Sequence, residues 1–291
     1  MAQGAERGAD RLGQALVFGS AVAWSTAGLF TRLIGLDTAT MLLWRGIWGA
    51  LGLLAVGLAF DGRAALSGFR RLGGPGWAYA LVSAGGMICF IAALGHTSVA
   101  HVAVIYATVP FLAAGLGWMA LGERPSRAAL VASGVALVGT GVMVGFGADG
   151  TIFGDFLAFL MTLGMAVMMI LARRWPAIPT RPAAALSAAL SVVAVLPFAS
   201  LALPGPASMG LLALFGLVNS ALGLTLFILG SRRIPAVETA LIGALDAPLA
   251  PLWILLFFGD LPGQATIVGG GIVLAAVVGH ILYEARPRPR R

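Results

Sequence analysis

The chain has 291 residues, of which 59% are apolar and only 10% charged, and its mean hydropathy is +0.98. A soluble domain carries about 25% charged residues, so composition excludes a soluble enzyme, a disordered chain and a collagen-like one. The net charge of +7 comes from 18 arginines with no lysine, and the single cysteine, Cys89, can form no intrachain disulfide.

Apolar runs broken by charge, Pro and Gly predict an all-α polytopic membrane protein with ten transmembrane helices. In chain order they are residues 13–35, 39–60, 76–94, 99–121, 127–146, 152–172, 182–203, 207–230, 235–258 and 263–283. Ten helices of ~20 residues leave only tails and short loops. The tails are 1–12 and the Arg-rich 284–291. The first apolar run is too long for a cleavable signal peptide, and no small-residue cleavage site is followed by a polar mature chain.

Sixteen of the 18 arginines fall in the two tails and in the loops after helices 2, 4, 6 and 8. The opposite loops carry Asp37, Asp149, Asp155 and Asp260, with only Arg32 nearby. The positive-inside rule then predicts a multi-pass protein of the inner (plasma) membrane with both termini cytoplasmic. The basic residues form a fence beside the lipid with no interleaved aromatic platform, which argues against nucleic acid as a partner.

An internal repeat is legible as well. Helix 1 aligns on helix 6 without a gap at an offset of 141, with Gly13 on Gly154, Trp24 on Met165 and Arg32 on Arg173. Helix 4 runs from Val109-Pro110 to Leu121-Gly122-Glu123, and helix 9 runs from Ala247-Pro248 to Phe258-Gly259-Asp260. The chain thus divides into a first repeat, 13–148, and a second, 149–283, of five helices each. Because five is odd, the second half enters from the opposite side. Two inverted repeats can rock about a pseudo-two-fold axis in the membrane plane and expose a central site alternately to each side.

These residues resemble the EamA-type carriers of the drug/metabolite transporter superfamily. The resemblance rests on Leu121-Gly122-Glu123 with Pro110 before it, and on the second copy, Pro248 with Gly259-Asp260, where Asp replaces Glu. Gly154-Asp155 opening helix 6 and Arg45 early in helix 2 also fit. It covers residues 12–283. It implies ten helices in two inverted EamA repeats and a cavity lined mainly by helices 1, 3, 4, 6, 8 and 9, with 5 and 10 peripheral. It also implies a secondary transporter exporting small amphipathic metabolites, with amino acids the expected substrates and YddG-type aromatic amino-acid exporters the nearest expected kin. A broad-specificity drug/metabolite exporter is the alternative.

Charged groups inside the apolar runs are expensive. Arg45 lies ~9 Å from the outer face at the helical rise, and two readings stand: a carboxylate anchor or gating charge, or a snorkelling side chain. Asp246 lies ~18 Å into helix 9, too deep for an aspartate to snorkel. It either contacts a substrate amino group or a proton, or pairs structurally, for instance with Arg45. Glu238, one turn into helix 9, reads as a partner of Arg232 or Arg233. Trp24 and Tyr106 are candidates at mid-span on expected lining helices. Ser83 and Asn219, at nearly equivalent repeat positions, either orient substrate or bond between helices. Met87 and Met165 belong to a methionine cluster that suits either a tolerant pocket or plain packing. Tyr79 and His101 complete the set, His101 as a residue of the cavity entrance. His96 and His101 are ~140° apart on a helix and cannot share a metal. No cofactor is expected.

An intramembrane enzyme would need a nucleophile facing its base; Ser133 and His280 come nearest but at doubtful common depth. There is no GxxxxGK[ST] loop for ATP. Rings of charge that would suit a channel are missing from the sequence. The glycines at 141 and 145, and at 269–271, predict close packing of helices 5 and 10, within the bundle or between subunits. The chain is expected to work as a monomer or homodimer.

Overall fold

The computed structural model describes residues 2–62, 64–97, 99–144 and 151–284. Among them every regular element is helical. The ten expected helices are present. Helix 1 comprises Ala2–Ser25 and Ala27–Ile34, helix 2 Thr38–Asp61, and helix 3 Gly73–Leu94. Helix 4 comprises Val99–Tyr106 and Val109–Leu121, helix 5 Arg127–Val144, and helix 6 Ile152–Arg174. Helix 7 is Thr180–Val195 with a 3-10 turn Leu196–Phe198. Helix 8 runs as Pro206–Phe215, a π-helical stretch Gly216–Gly223, and Leu224–Ser231. Helix 9 comprises Ala236–Gly243 and Asp246–Phe258, and helix 10 is Gln264–Glu284. Among the described residues nine are long and apolar enough to span a bilayer; helix 7 is shorter, with its apolar stretch Pro182–Phe198.

Three expectations on boundaries change. Helix 7 stops at Phe198 rather than 203, because Pro197 cannot donate a backbone hydrogen bond and the chain tightens before leaving the helix. Helix 1 begins at Ala2, so the segment read as a tail is largely helical. A short helix, Ala64–Arg70, lies where a plain loop was expected. The join between repeats at 148/149 and the arginines from 286 onward lie outside the described residues.

Successive helices run in opposite directions. We call the end where helix 1 begins the near face and the other the far face. Helix pairing repeats itself under the exchange of helix n with helix n+5. Helix 3 packs on helix 6 as helix 8 packs on helix 1; helix 7 packs on helix 3 as helix 2 packs on helix 8. Helix 4 packs on helix 6 as helix 9 packs on helix 1. Helices 5 and 10, 2 and 7, and 4 and 9 pair across the pseudo-axis. The fold is therefore two inverted five-helix repeats.

The same exchange holds at atomic contacts. A Cβ on Gly13 would lie 2.7 Å from Ile234 Cγ2, and one on Gly154 would lie 2.7 Å from Thr97 Cβ. Each glycine lets its helix press on the loop before helix 9 or before helix 4. Helices 4 and 9 both end in a left-handed glycine, Gly122 at φ +69° and Gly259 at φ +71°. Only a residue without Cβ takes that conformation freely, so the shared Gly-acid motif is a helix cap. The acid that follows reaches an arginine ending a repeat-related helix: Glu123 pairs with Arg173 on the near face, and Asp260 with Arg32 at 2.5 Å on the far face.

Lipid supplies no hydrophobic drive between helices, so close approach of small residues has to hold them. Helices 5 and 10 meet at Gly139 and Gly269, where no side chain would fit. This contact is within the chain; Gly145 lies outside the described residues. At the far end of helix 2, Asp37 caps the helix by accepting from the Thr40 amide at 2.9 Å. Hydrogen bonding from Thr40 holds the Asp37 carboxyl below its usual range.

Candidate functional site

Four helices are interrupted near mid-depth. In helix 1 the hydroxyl of Thr26 donates to the Ala23 carbonyl at 2.5 Å, and in helix 4 that of Thr108 donates to Ile105 at 2.6 Å. Such hydroxyls compete with the backbone ladder. Pro110 and Pro248 cannot donate to the carbonyls of Tyr106 and Ala244, which breaks helices 4 and 9 at equivalent places. Helix 8 widens into its π-helical stretch around Asn219, a device that re-aims side chains.

The breaks surround a cavity of about 310 Å³. Of the expected residues, Trp24, Ser83, Met87, Tyr106, Met165, Asn219 and Asp246 line it, together with Arg45. Helices 2 and 7 also contribute, through Leu42, Arg45, Ser187 and Ser191, so the six-helix lining implied by resemblance is incomplete. No described residue of helices 5 and 10 lines it.

Two expected residues lie elsewhere. Tyr79 is 1% exposed and packs with Leu53, Met168 and Ile228, so it belongs to the core. It sits on the near-face half of helix 3, where helices 2, 6, 7 and 8 close on it, and it is not among the residues lining the cavity. His101 sits on the far face, its Nδ1 3.0 Å from Asp155 Oδ1, beside Thr97, whose hydroxyl donates to the same carboxylate at 2.7 Å. Thr97 ties the helix 3–4 loop, and His101 the first turn of helix 4, to Asp155 of helix 6, and His101 is not among the residues lining the cavity. Glu238 lines a separate near-face pocket with Glu123, Arg124 and Arg173.

Arg45 is held rather than snorkelling. Its Nη1 donates to Asn219 Oδ1 at 2.9 Å, and its guanidinium lies 5.1 Å from the Phe215 ring. Asn219 Nδ2 in turn donates to the Ala23 carbonyl at 3.3 Å, and Trp24 Nε1 donates to the Asn219 carbonyl at 3.1 Å. This network joins helices 1, 2 and 8 at the bend of helix 1. Arg45 Nε is buried without a hydrogen-bond partner among the described residues, leaving a donor to be satisfied. Asp246 makes no ion pair with Arg45 among the described residues, so the structural pairing weighed from the sequence is absent. Opposite Arg45 runs a hydroxyl wall in which Ser187 donates to Ser83 at 2.5 Å. Sequence reading missed Ser187, Ser191 and Ser220; serines on apolar helices carry no signal of which face they line.

The cavity has a floor on its near side. Val109, Ala113, Ala166, Met169, Phe227, Ala236 and Ala240 form a buried cluster on which Trp24, Tyr106 and Met165 rest. Here the near halves of helices 4 and 9, Val109–Leu121 and Ala236–Gly243, pack on each other. Their far halves, Val99–Tyr106 and Asp246–Phe258, do not pack in this way. A second cavity, about 240 Å³, occupies the gap and is closed behind by Thr140 and Met143 of helix 5. The hydroxyl of Ser133 donates to the Ala129 carbonyl at 2.8 Å, which spends it within its own helix.

Comparison with known proteins agrees with this geometry. Residues 11–145 match the EamA-like transporter family. An uncharacterized transporter of Archaeoglobus fulgidus is 26% identical over 271 residues, covering 92% of this chain and 96% of that one. A solved structure, described only as the crystal structure of a protein, superposes with a TM-score of 0.79 at 20% identity, covering 94% of this chain and 99% of that one. That likeness concerns the fold. The family match thus falls on the first repeat, residues 11–145, and the chain is similar there to EamA-like transporters.

Proposed function

We propose that this membrane transporter exports small amphipathic metabolites, amino acids first among them, across the inner membrane by alternating access. The near face, rich in arginine, is the cytoplasmic one. The observation that carries the reading is a broken symmetry. Exchanging the repeats maps the packed contact between the near halves of helices 4 and 9 onto the spread far halves. The opposite-facing state needs only that the two exchange roles, so one sequence supports two packings of similar energy. In the present state the cavity has its floor on the near side and the gap on the far side.

The cavity suits a zwitterion with an apolar body. The free Nε of Arg45 is a donor for a carboxylate. Asp246 accepts an ammonium or a proton. Met87, Met165 and Met168 accommodate varied side chains, a feature that also favours the broader drug/metabolite reading. A volume of about 310 Å³ lies at the small end of ligand sites.

The two ion pairs act as struts in this mechanism. Arg32–Asp260 and Arg173–Glu123 are repeat-related and both are formed together. An exchange of states turns each into the other, so neither has to open.

The test is counterflow in proteoliposomes of the purified chain. Labelled amino acids should enter vesicles preloaded with unlabelled ones, saturably, and Arg45→Ala should cut that flux about tenfold. No flux above protein-free vesicles across a broad panel of amino acids and other metabolites would refute carriage. Flux under two pH gradients, with Asp246→Asn alongside, separates proton coupling from facilitated transport.

A further inference from the structure

The second cavity has its own chemistry. It shares Trp24, Ala27, Tyr106 and Asp246 with the main one, and these four residues form the partition between the two. On the main side the wall includes Arg45 and hydroxyls. On the second side the remaining wall is alanine, glycine, Ser25, Thr140 and Met143, and among the described residues Asp246 is its only titratable group besides the Tyr106 phenol. A carboxylate in a space also lined by an indole, a phenol and a thioether, with no basic residue among the described lining, is an environment for a cation. Aromatic faces attract ammonium groups, and a desolvated carboxylate needs a counter-charge.

We propose that this second cavity binds compact organic ammonium ions, with the charged head against Asp246 between Trp24 and Tyr106 and the apolar tail toward Met143. Its volume of about 240 Å³ suits a single-ring aryl-alkyl ammonium ion. The space exists only where the far halves of helices 4 and 9 stand apart, since the repeat-related interface is filled by Val109, Ala113, Ala236 and Ala240. A cation seated there therefore wedges the halves open. That consequence for transport rests on the alternating-access reading; the binding does not.

The experiment is calorimetric titration of the full chain in nanodiscs with 2-phenylethylammonium, and with neutral 2-phenylethanol as comparison. The cation should bind saturably and about tenfold or more tightly than the alcohol. Met143→Trp, which fills the second cavity, and Asp246→Asn, which removes the charge, should each weaken it about tenfold or more. Met87→Trp, which fills the main cavity, should leave it nearly unchanged. Each variant is first checked for an unaltered unfolding transition, and Thr140→Trp replaces Met143→Trp if the latter does not fold. Equal binding of the alcohol, loss in Met87→Trp with retention in Met143→Trp, or no saturable cation binding would each overturn the proposal. In parallel, the cation should inhibit amino-acid counterflow. If binding is present but no substrate moves in any vesicle, the transport reading fails and this one stands.

Discussion

The near and far halves of helices 4 and 9 are built from the same repeat motif yet end in opposite conditions. The near halves are sealed by alanines, Val109 and Met169, buried together. The far halves flank an open space lined by alanine, threonine and a lone carboxylate. The difference teaches that sealing here depends on how closely the two halves approach, since alanines line both the sealed and the open side. Packing dispersion is lost outright across a gap, so a closed interface holds firmly and an open one offers little to hold it. Between the two lie the breaks at Tyr106–Val109 and Gly243–Asp246, where the helices can change direction.

The comparison can be broken most completely by locking the far halves together. Ala103 and Ala250 line the gap from helices 4 and 9. In a Cys89→Ala background, Ala103→Cys with Ala250→Cys should lose nearly all counterflow on oxidation and recover it with reductant. Gel mobility after alkylation checks that the disulfide forms. Overfilling the sealed side comes next. Ala113 is fully buried, and Ala113→Phe should destabilise the fold by about 1–3 kcal/mol, as overpacking of a filled core does. Thermal unfolding in detergent reads this, and an unchanged midpoint would mean that the floor is not tightly packed.

Effects of similar or smaller size sharpen the symmetry. Gly13→Val and Gly154→Val meet repeat-related loops, but Gly13 meets the side chains of Ile234 and Arg233 whereas Gly154 meets the backbone of His96. Both should lower the thermal midpoint, each losing about 1–3 kcal/mol of stability as overpacking does, with Gly154→Val the more costly because backbone yields less than a side chain. Smallest of all should be Arg32→Ala. The pair with Asp260 is half exposed, with side-chain exposures of 47% and 53%, and such pairs contribute about 0–1 kcal/mol. Counterflow should change little. A large loss on Arg32→Ala would show that the far-face pair is a gate rather than a strut.

Much of this molecule is legible in its sequence because membrane helices leave few alternatives. Backbone polar groups must be satisfied inside lipid, so apolar runs predict the helices almost directly. The Gly-acid ends of helices 4 and 9 are legible because a left-handed cap requires glycine, and Pro110 and Pro248 mark the breaks. Arg45, Asn219 and Asp246 stand out by their cost in an apolar run. Tyr79 misleads for the same reason: an aromatic residue on an expected lining helix looks like a pocket residue until the helix's rotation is known. Ser187, Ser191 and the contributions of helices 2 and 7 stay hidden, since small residues pattern alike on every face.

Chain pattern by itself determined the helices, their alternating direction, the inverted duplication and the polar groups that interrupt it. The tertiary structure alone decided which of two equivalent interfaces is filled and which is open, that Arg45 is bound through Asn219 rather than to Asp246, and that a second cavity lies beyond Trp24 and Tyr106. The reason is that repeat-related segments carry nearly the same local information. Choosing between them depends on how all ten helices pack at once, and no single segment encodes that.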